Sequence, residues 1–237
     1  MNLIKDVWQE KDIIEFEKYL LTFSKGKEKG EWEKRIVNTS LLCIAVPSEK
    51  VKEIVKQISK GNFLSFIDFW PWQNYTQSLI VGGLICKIKD FSLFKKYLTV
   101  YAQKVDNWAN CDCLKFNINN KNKDLFFEFA KELIKSNKPF VKRIGLIIFF
   151  KMLCYEEYLE EIFNIVNTFK NETEYYVNMM LAWLVCECFI KYRNRTIGFL
   201  QTHNLNKFVI NKSISKCRDS FRVSKEDKDF LLLYRQK

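Results

Sequence analysis

Residues 139–155 read PFVKRIGLIIFFKMLCY, 155–169 read YEEYLEEIFNIVNTF, and 174–192 read EYYVNMMLAWLVCECFIKY. The first and third stretches are apolar on nearly every side, which suits helices buried among other helices. The middle stretch places Leu159, Ile162, Phe163 and Val166 at i, i+3, i+4 and i+7 and carries its charge on the remaining face. It is an amphipathic helix with one stripe to bury. Amphipathic and apolar helices in alternation, joined by short linkers, are the pattern of stacked helical pairs.

The same rhythm extends outward. IIEFEKYLLTF (13–23) is amphipathic, and KGKEKG (25–30) reads as a polar hinge. EWEKRIVNTSLLCIAV (31–46) reads as one helix ended by Pro47, and PSEKVKEIVKQIS (47–59) opens with a helix-start signal. NFLSFIDFW (62–70) is broken by Pro71, and the stretches 73–89 and 91–105 form a further pair. Helices are also expected over 122–136, 194–203, 206–219 and 224–234. This amounts to about a dozen helices, with pairs recurring about every 35–45 residues. No stretch alternates as a strand would, and no linker is long enough to mark a boundary. The expectation is an all-α chain, a single domain over 1–237. Its architecture would be an α-solenoid of HEAT-like helical repeats, an α-α superhelix whose inner helices line a basic concave groove.

Composition agrees. The 237 residues are 48% hydrophobic, which excludes a disordered chain, and they include only 7 Gly and 3 Pro, too few for a turn-rich sheet protein. The net charge of +11 favours a polyanionic partner. Of the 39 cations 32 are Lys, and Asn, Ile and Phe are abundant beside them, so part of that charge reflects coding bias. No charge-free apolar stretch reaches the ~18 residues of a membrane span, and the N-terminus has no secretory core. The cytoplasm is the expected compartment, and no membrane partner is expected.

The chemistry narrows by elimination. Eight Cys occur as scattered residues or as C-x-C pairs at 111–113 and 186–188, a poor spacing for zinc, and His203 is the only His. No metal and no cofactor are expected. Phosphate-loop, nucleophile-elbow and dinucleotide motifs are missing. Any catalysis would rest on electrostatics and shape around a carboxylate.

WANCD (108–112) offers one. Trp108 and Asp112 stand at i and i+4, so on a helix they share a face. An indole beside a carboxylate suits a cationic sugar or base. The plainer reading is an aspartate near a helix start with Trp108 filling the core, and spacing alone favours it. Arg143 precedes seven apolar residues; its guanidinium suits a phosphate or Asp112, or it snorkels to solvent. Trp183 lies in MMLAWLVC, where a core position is the ordinary expectation and projection into a groove the alternative.

In order and spacing these segments resemble the AlkD-like branch of the DNA alkylation repair glycosylases, from about residue 31 to about 220. NWANCD is similar to the family's Trp-x-x-x-Asp segment, FVKRIGLIIFF to its arginine segment, and YYVNMMLAWLVCE to its Trp-bearing apolar helix. LLCIAVPSEKVKEI is similar to an early segment. The resemblance implies hydrolysis of the N-glycosidic bond of cationic N3- or N7-alkylated purines in duplex DNA, without base flipping, by a monomer. It implies Asp112 as the carboxylate that stabilises an oxocarbenium-like sugar and positions water. Trp108 and Trp183 would pack on the lesion's sugar and backbone, and Arg143, with Lys142 beside it, would contact phosphate. Three positions depart from the family: Ile36 for a frequent aromatic, Ala109 for a frequent acid, and Cys186 for a frequent arginine. A non-catalytic HEAT-repeat protein that reads damaged or branched DNA is the alternative, and a scaffold without nucleic acid is a third. Clustering of cations around Asp112 would favour the readings that involve DNA.

Overall fold

The structure is a computed structural model and describes residues 1–236. Among these it contains fourteen α-helices and two short 3₁₀ turns, and no strand. The chain groups into two compact units, Met1–Asn117 and Ile118–Lys237.

In the first unit the helices are α1 (Glu10–Leu21), α2 (Lys27–Val37), α3 (Ser48–Ile58), α4 (Phe63–Asp68), α5 (Tyr75–Ile85), α6 (Phe91–Lys104) and α7 (Trp108–Asp112). One end is closed by three aromatic rings. Trp8 meets Phe16 at 6.0 Å and Phe66 at 4.8 Å, edge to face, and Phe16 meets Phe66 at 5.1 Å. Helix α5 is buried nearly all round and packs against α3, α4, α6 and α7. It is the axis on which the others are hung.

The helix expected over 31–46 does not run that far. It ends at Val37, where Asn38 adopts a left-handed conformation with φ 55°. Residues beyond it are pulled out of helical geometry by partners distant in sequence. Thr39 and Ser40 donate to Asp106, Tyr75 N–H donates to the Leu42 carbonyl at 2.9 Å, and Ala45 N–H donates to Glu33 at 3.1 Å. The polar hinge is also shorter than expected, since α2 starts at Lys27. Gly30 lies inside α2, at a point where a Cβ would collide with the Cys43 carbonyl oxygen.

The second unit comprises α8 (Lys123–Leu133), α9 (Pro139–Met152), α10 (Leu159–Asn167), α11 (Tyr175–Lys191), α12 (Arg193–Thr202), α13 (Lys207–Asp219) and α14 (Lys225–Phe230). The apolar stretches at 139–155 and 174–192 are buried as expected: α9 and α11 pack together, and α11 packs in turn on α13. Helix α8 covers α9, and α12 covers α11. Phe163 of α10 stacks on Phe199 of α12 at 4.6 Å. This layering of helical pairs is the α-solenoid arrangement.

Gly82 shows how tightly α5 and α6 meet, because a Cβ at that position would lie 2.5 Å from the Tyr101 hydroxyl. That hydroxyl is held by Asn110 and cannot yield freely. Gly82→Ala is expected to destabilise the chain by about 2 kcal/mol, within the overpacking range, despite its gain in helix propensity. Chemical unfolding of both proteins checks it, and an unchanged or higher midpoint contradicts the packing described.

Candidate nucleic-acid interface

Helix α7 is a single turn of five residues and would not stand alone. A buried polar network holds it. Asn107 caps it, its Oδ1 accepting from Asn110 N–H at 2.9 Å, while its Nδ2 donates to Asn110 Oδ1 at 2.6 Å and to Asp106 at 2.9 Å. The Asn110 amide donates to Ser78 Oγ at 2.8 Å and to the Tyr101 hydroxyl at 2.9 Å. Asn107, Asn110, Ser78 and Tyr101 are all essentially buried. Burial holds the Tyr101 hydroxyl well above its ordinary pKa, so it stays protonated and can donate to the Asn110 carbonyl.

The two residues that flank this network face outward. Trp108 is half-buried: it packs on Val37, Cys43, Tyr75 and Ala109, and its indole N–H donates to the Ile36 carbonyl at 3.2 Å. Asp112, also half-buried, opens into a recess of about 630 Å³. The recess floor is apolar, with Val46, Val51, Val55 and Leu79, and its rim carries Lys52, Lys56, Lys87 and Lys115. Four lysines thus line one recess with two carboxylates, Asp112 and Glu33. Cys113 lines the same recess, where desolvation, reinforced by the Asp112 charge, pushes its thiol above the ordinary value. Cys111 is fully buried and its thiol faces the Asn107 carbonyl.

Nothing in the sequence singles out Glu33. Burial raises its carboxyl above the usual range, and the Ala45 N–H offsets this only in part. Glu33 also lines an adjoining recess of about 430 Å³ with Lys25, Lys29 and Trp32. Trp32 is 55% exposed and precedes Ile36, 52% exposed, by one turn of α2. An exposed aromatic therefore stands on the early helix one turn away from the departure at Ile36. The other two departures lie in the interior, since Ala109 and Cys186 are buried.

In the second unit the structure places the remaining candidates along the contact between α9 and α11. Arg143 is 5% exposed, and its guanidinium donates to the Tyr176 carbonyl at 2.6 Å, at the start of α11. Lys142 pairs with Glu172 at 2.6 Å and lines a recess of about 530 Å³ with Lys131 and Lys135. Burial would raise the Glu172 pKa, but Lys142 and the N–H groups of Glu174 and Thr173 outweigh it and hold it low. Trp183 is not a core residue: 37% exposed, it packs on Phe150 at 4.7 Å with the Lys216 ammonium 5.9 Å from its ring centre. Arg143 and Trp183 sit at different points of the α9–α11 contact, two turns apart along α11.

Four lysines lining one recess, and an exposed indole with an ammonium beside it in the second unit, suit a phosphate-bearing polymer. The family model described as DNA alkylation repair enzyme matches residues 21–217, and the chain belongs to that family. No curated protein and no solved structure matches it.

Asp106 anchors the network to the segment after α2. Burial alone would raise its pKa, but hydrogen bonds from Ser40, Thr39 and Asn107 outweigh this and the net shift is downward. A depressed carboxylate contributes stability that is present above its unfolded pKa, about 3.9, and lost as pH falls through the folded value. Asp106→Asn is therefore expected to unfold more easily at neutral pH, with the gap to wild type closing below pH ~4. A gap that persists unchanged to pH ~2 contradicts this role for Asp106.

Proposed function

We propose that this member of the DNA alkylation repair family is a DNA-alkylpurine N-glycosylase, which hydrolyses the N-glycosidic bond of cationic N3- or N7-alkylated purines in duplex DNA. The observation that carries the reading is the placement of Asp112 beside Trp108 on one rigid turn, at a recess rimmed by four lysines. A purine alkylated at N3 or N7 already carries positive charge. When the bond from C1′ to the purine nitrogen breaks, its electron pair leaves with the base and neutralises it, so little acid catalysis is needed. Positive charge then develops on the deoxyribose. A carboxylate held in place before the reaction stabilises that charge without reorganising. Water adds to C1′ and loses its proton towards Asp112. The lysines attract the phosphates, and Trp108 offers an indole face to the cationic sugar.

The scheme does not require a flipped base, because the leaving group is activated before it meets the protein. Extrusion is needed where chemistry must be brought to an atom inside the stack. Trp183 is assigned to the DNA backbone, with Lys216 beside it. Lys142 is assigned a phosphate contact, with Glu172 fixing the direction it faces, and Arg143, buried against the Tyr176 carbonyl, is assigned to holding the start of α11 in place. The protein would act as a monomer in the cytoplasm, on the nucleoid.

Release of 7-methylguanine from a methylated duplex, compared between wild type and Asp112→Asn, tests the proposal. The expected result is release by wild type and a loss of about 10²–10³-fold in rate for the variant, with duplex affinity within about twofold. A variant that excises normally removes Asp112 from catalysis. No release by either protein, with salt-sensitive duplex binding retained, would establish the non-catalytic DNA reader instead.

A further inference from the structure

The C-terminal helices contain a further basic recess that the family match, ending at residue 217, barely touches. It measures about 400 Å³ and is lined by Arg218, Lys225, Lys228 and Arg235, with Ser215 and the carboxylates Asp219 and Asp229. Elsewhere in this unit several cations are paired: Lys123 with Glu157, Lys131 with Glu128 and Glu161, Arg195 with Glu156 and Glu160, and Arg222 with Glu187. Among the described residues, none of the four recess cations forms an ion pair, even though two carboxylates line the same recess.

The recess is also held in shape. Asn211 on α13 grips the chain near Arg235 from both sides, its amide donating to the Gln236 carbonyl at 2.9 Å and its Oδ1 accepting from Gln236 N–H at 3.0 Å. Ser224 caps α14 through Asp227 N–H at 3.1 Å, which sets the helix bearing Lys225 and Lys228. Arg193 ties α14 down by pairing with Asp227 at 2.6 Å and lying over the Phe230 ring at 5.5 Å. Phe230 in turn packs edge-on against Tyr234 at 5.6 Å, next to Arg235. Three elements, the end of α13, α14 and the turn that follows it, therefore present two guanidinium and two ammonium groups to one place. Four cations share the recess with two carboxylates, which leaves a net positive charge there for a phosphate oxoanion to meet. Guanidinium groups match phosphate oxygens two at a time.

We propose that this recess is a second DNA contact, which holds a backbone phosphate of the duplex apart from the lesion, through Arg218, Lys225, Lys228 and Arg235. The proposal rests on the functional reading that the chain binds duplex DNA. Its role is affinity and not chemistry: these residues lengthen the footprint on DNA.

The test is the salt dependence of binding to an undamaged duplex, with single-turnover release of 7-methylguanine measured alongside. Each phosphate contact contributes about 0.9 to the slope of log K against log salt. The R218Q/K225Q/K228Q/R235Q protein is expected to lose roughly 1 unit of slope, for the one phosphate held, and K225Q/K228Q, a milder change, roughly half of that. The single-turnover rate at saturating enzyme is expected to stay at the wild-type value. Slopes equal to wild type in both variants, while K52Q/K56Q/K87Q/K115Q loses slope, would overturn the second contact and leave the DNA reading intact. A wild-type protein that binds no duplex at low salt would overturn both.

Discussion

The side-chain amide of Asn110 is the interaction on which the proposed site depends. It gives both its N–H groups to buried hydroxyls, those of Ser78 and Tyr101, and its oxygen receives the Asn107 amide. Each of these partners belongs to a different part of the first unit: Ser78 to α5, Tyr101 to α6, Asn107 to the cap of α7. A five-residue helix has too few internal hydrogen bonds to hold its own direction. The network supplies that direction, and because its members are out of water, losing one leaves the others unsatisfied at roughly 1–3 kcal/mol apiece. Trp108 and Asp112 owe their places to it.

What surrounds Asp112 follows from how the segment after α2 is pinned. Asn38 turns the chain, Asp106 collects the Thr39 and Ser40 donors, and the segment then delivers Val46 to the apolar floor of the recess. That pinning also exposes the Ile36 carbonyl to the Trp108 indole. The second unit solves a different problem. Its apolar helices α9 and α11 bury almost everything they carry, and Trp183 reaches the surface because the neighbours on that side are Phe150 and the lysine-bearing α13 and not a further apolar layer.

Most helices were legible from period alone, because an apolar stripe repeating every 3.6 residues over two or three turns fits a helix and cannot fit the two-residue alternation of a strand. The break inside 31–46 was not. Its apolar residues keep helical spacing, and what stops the helix is a set of bonds to Asp106, Tyr75 and Glu33, two of these partners lying more than thirty residues away. Trp108 and Asp112 could be paired from their spacing. That Asn110 is the centre of a buried network could not be read, since an Asn in a helix-start sequence looks the same whether its amide meets water or Tyr101. The lysines at 52, 56, 87 and 115 were hidden for another reason: in a chain with so many lysines, only folding shows which of them line one recess with Asp112. Trp183 sat in a helix apolar all round, and such a pattern cannot say which side lacks a neighbour.

The central claim is that the buried amide network acts on excision through Asp112. A double-mutant cycle on single-turnover 7-methylguanine release, with Asn110→Ala and Asp112→Asn alone and together, tests it at a temperature where all four proteins are folded. If Asn110 works by holding Asp112, Asn110→Ala slows wild type markedly but changes the rate of Asp112→Asn by less than about twofold. Losses that multiply in the double variant would contradict the account, because the network would then act on catalysis without the carboxylate it is said to hold.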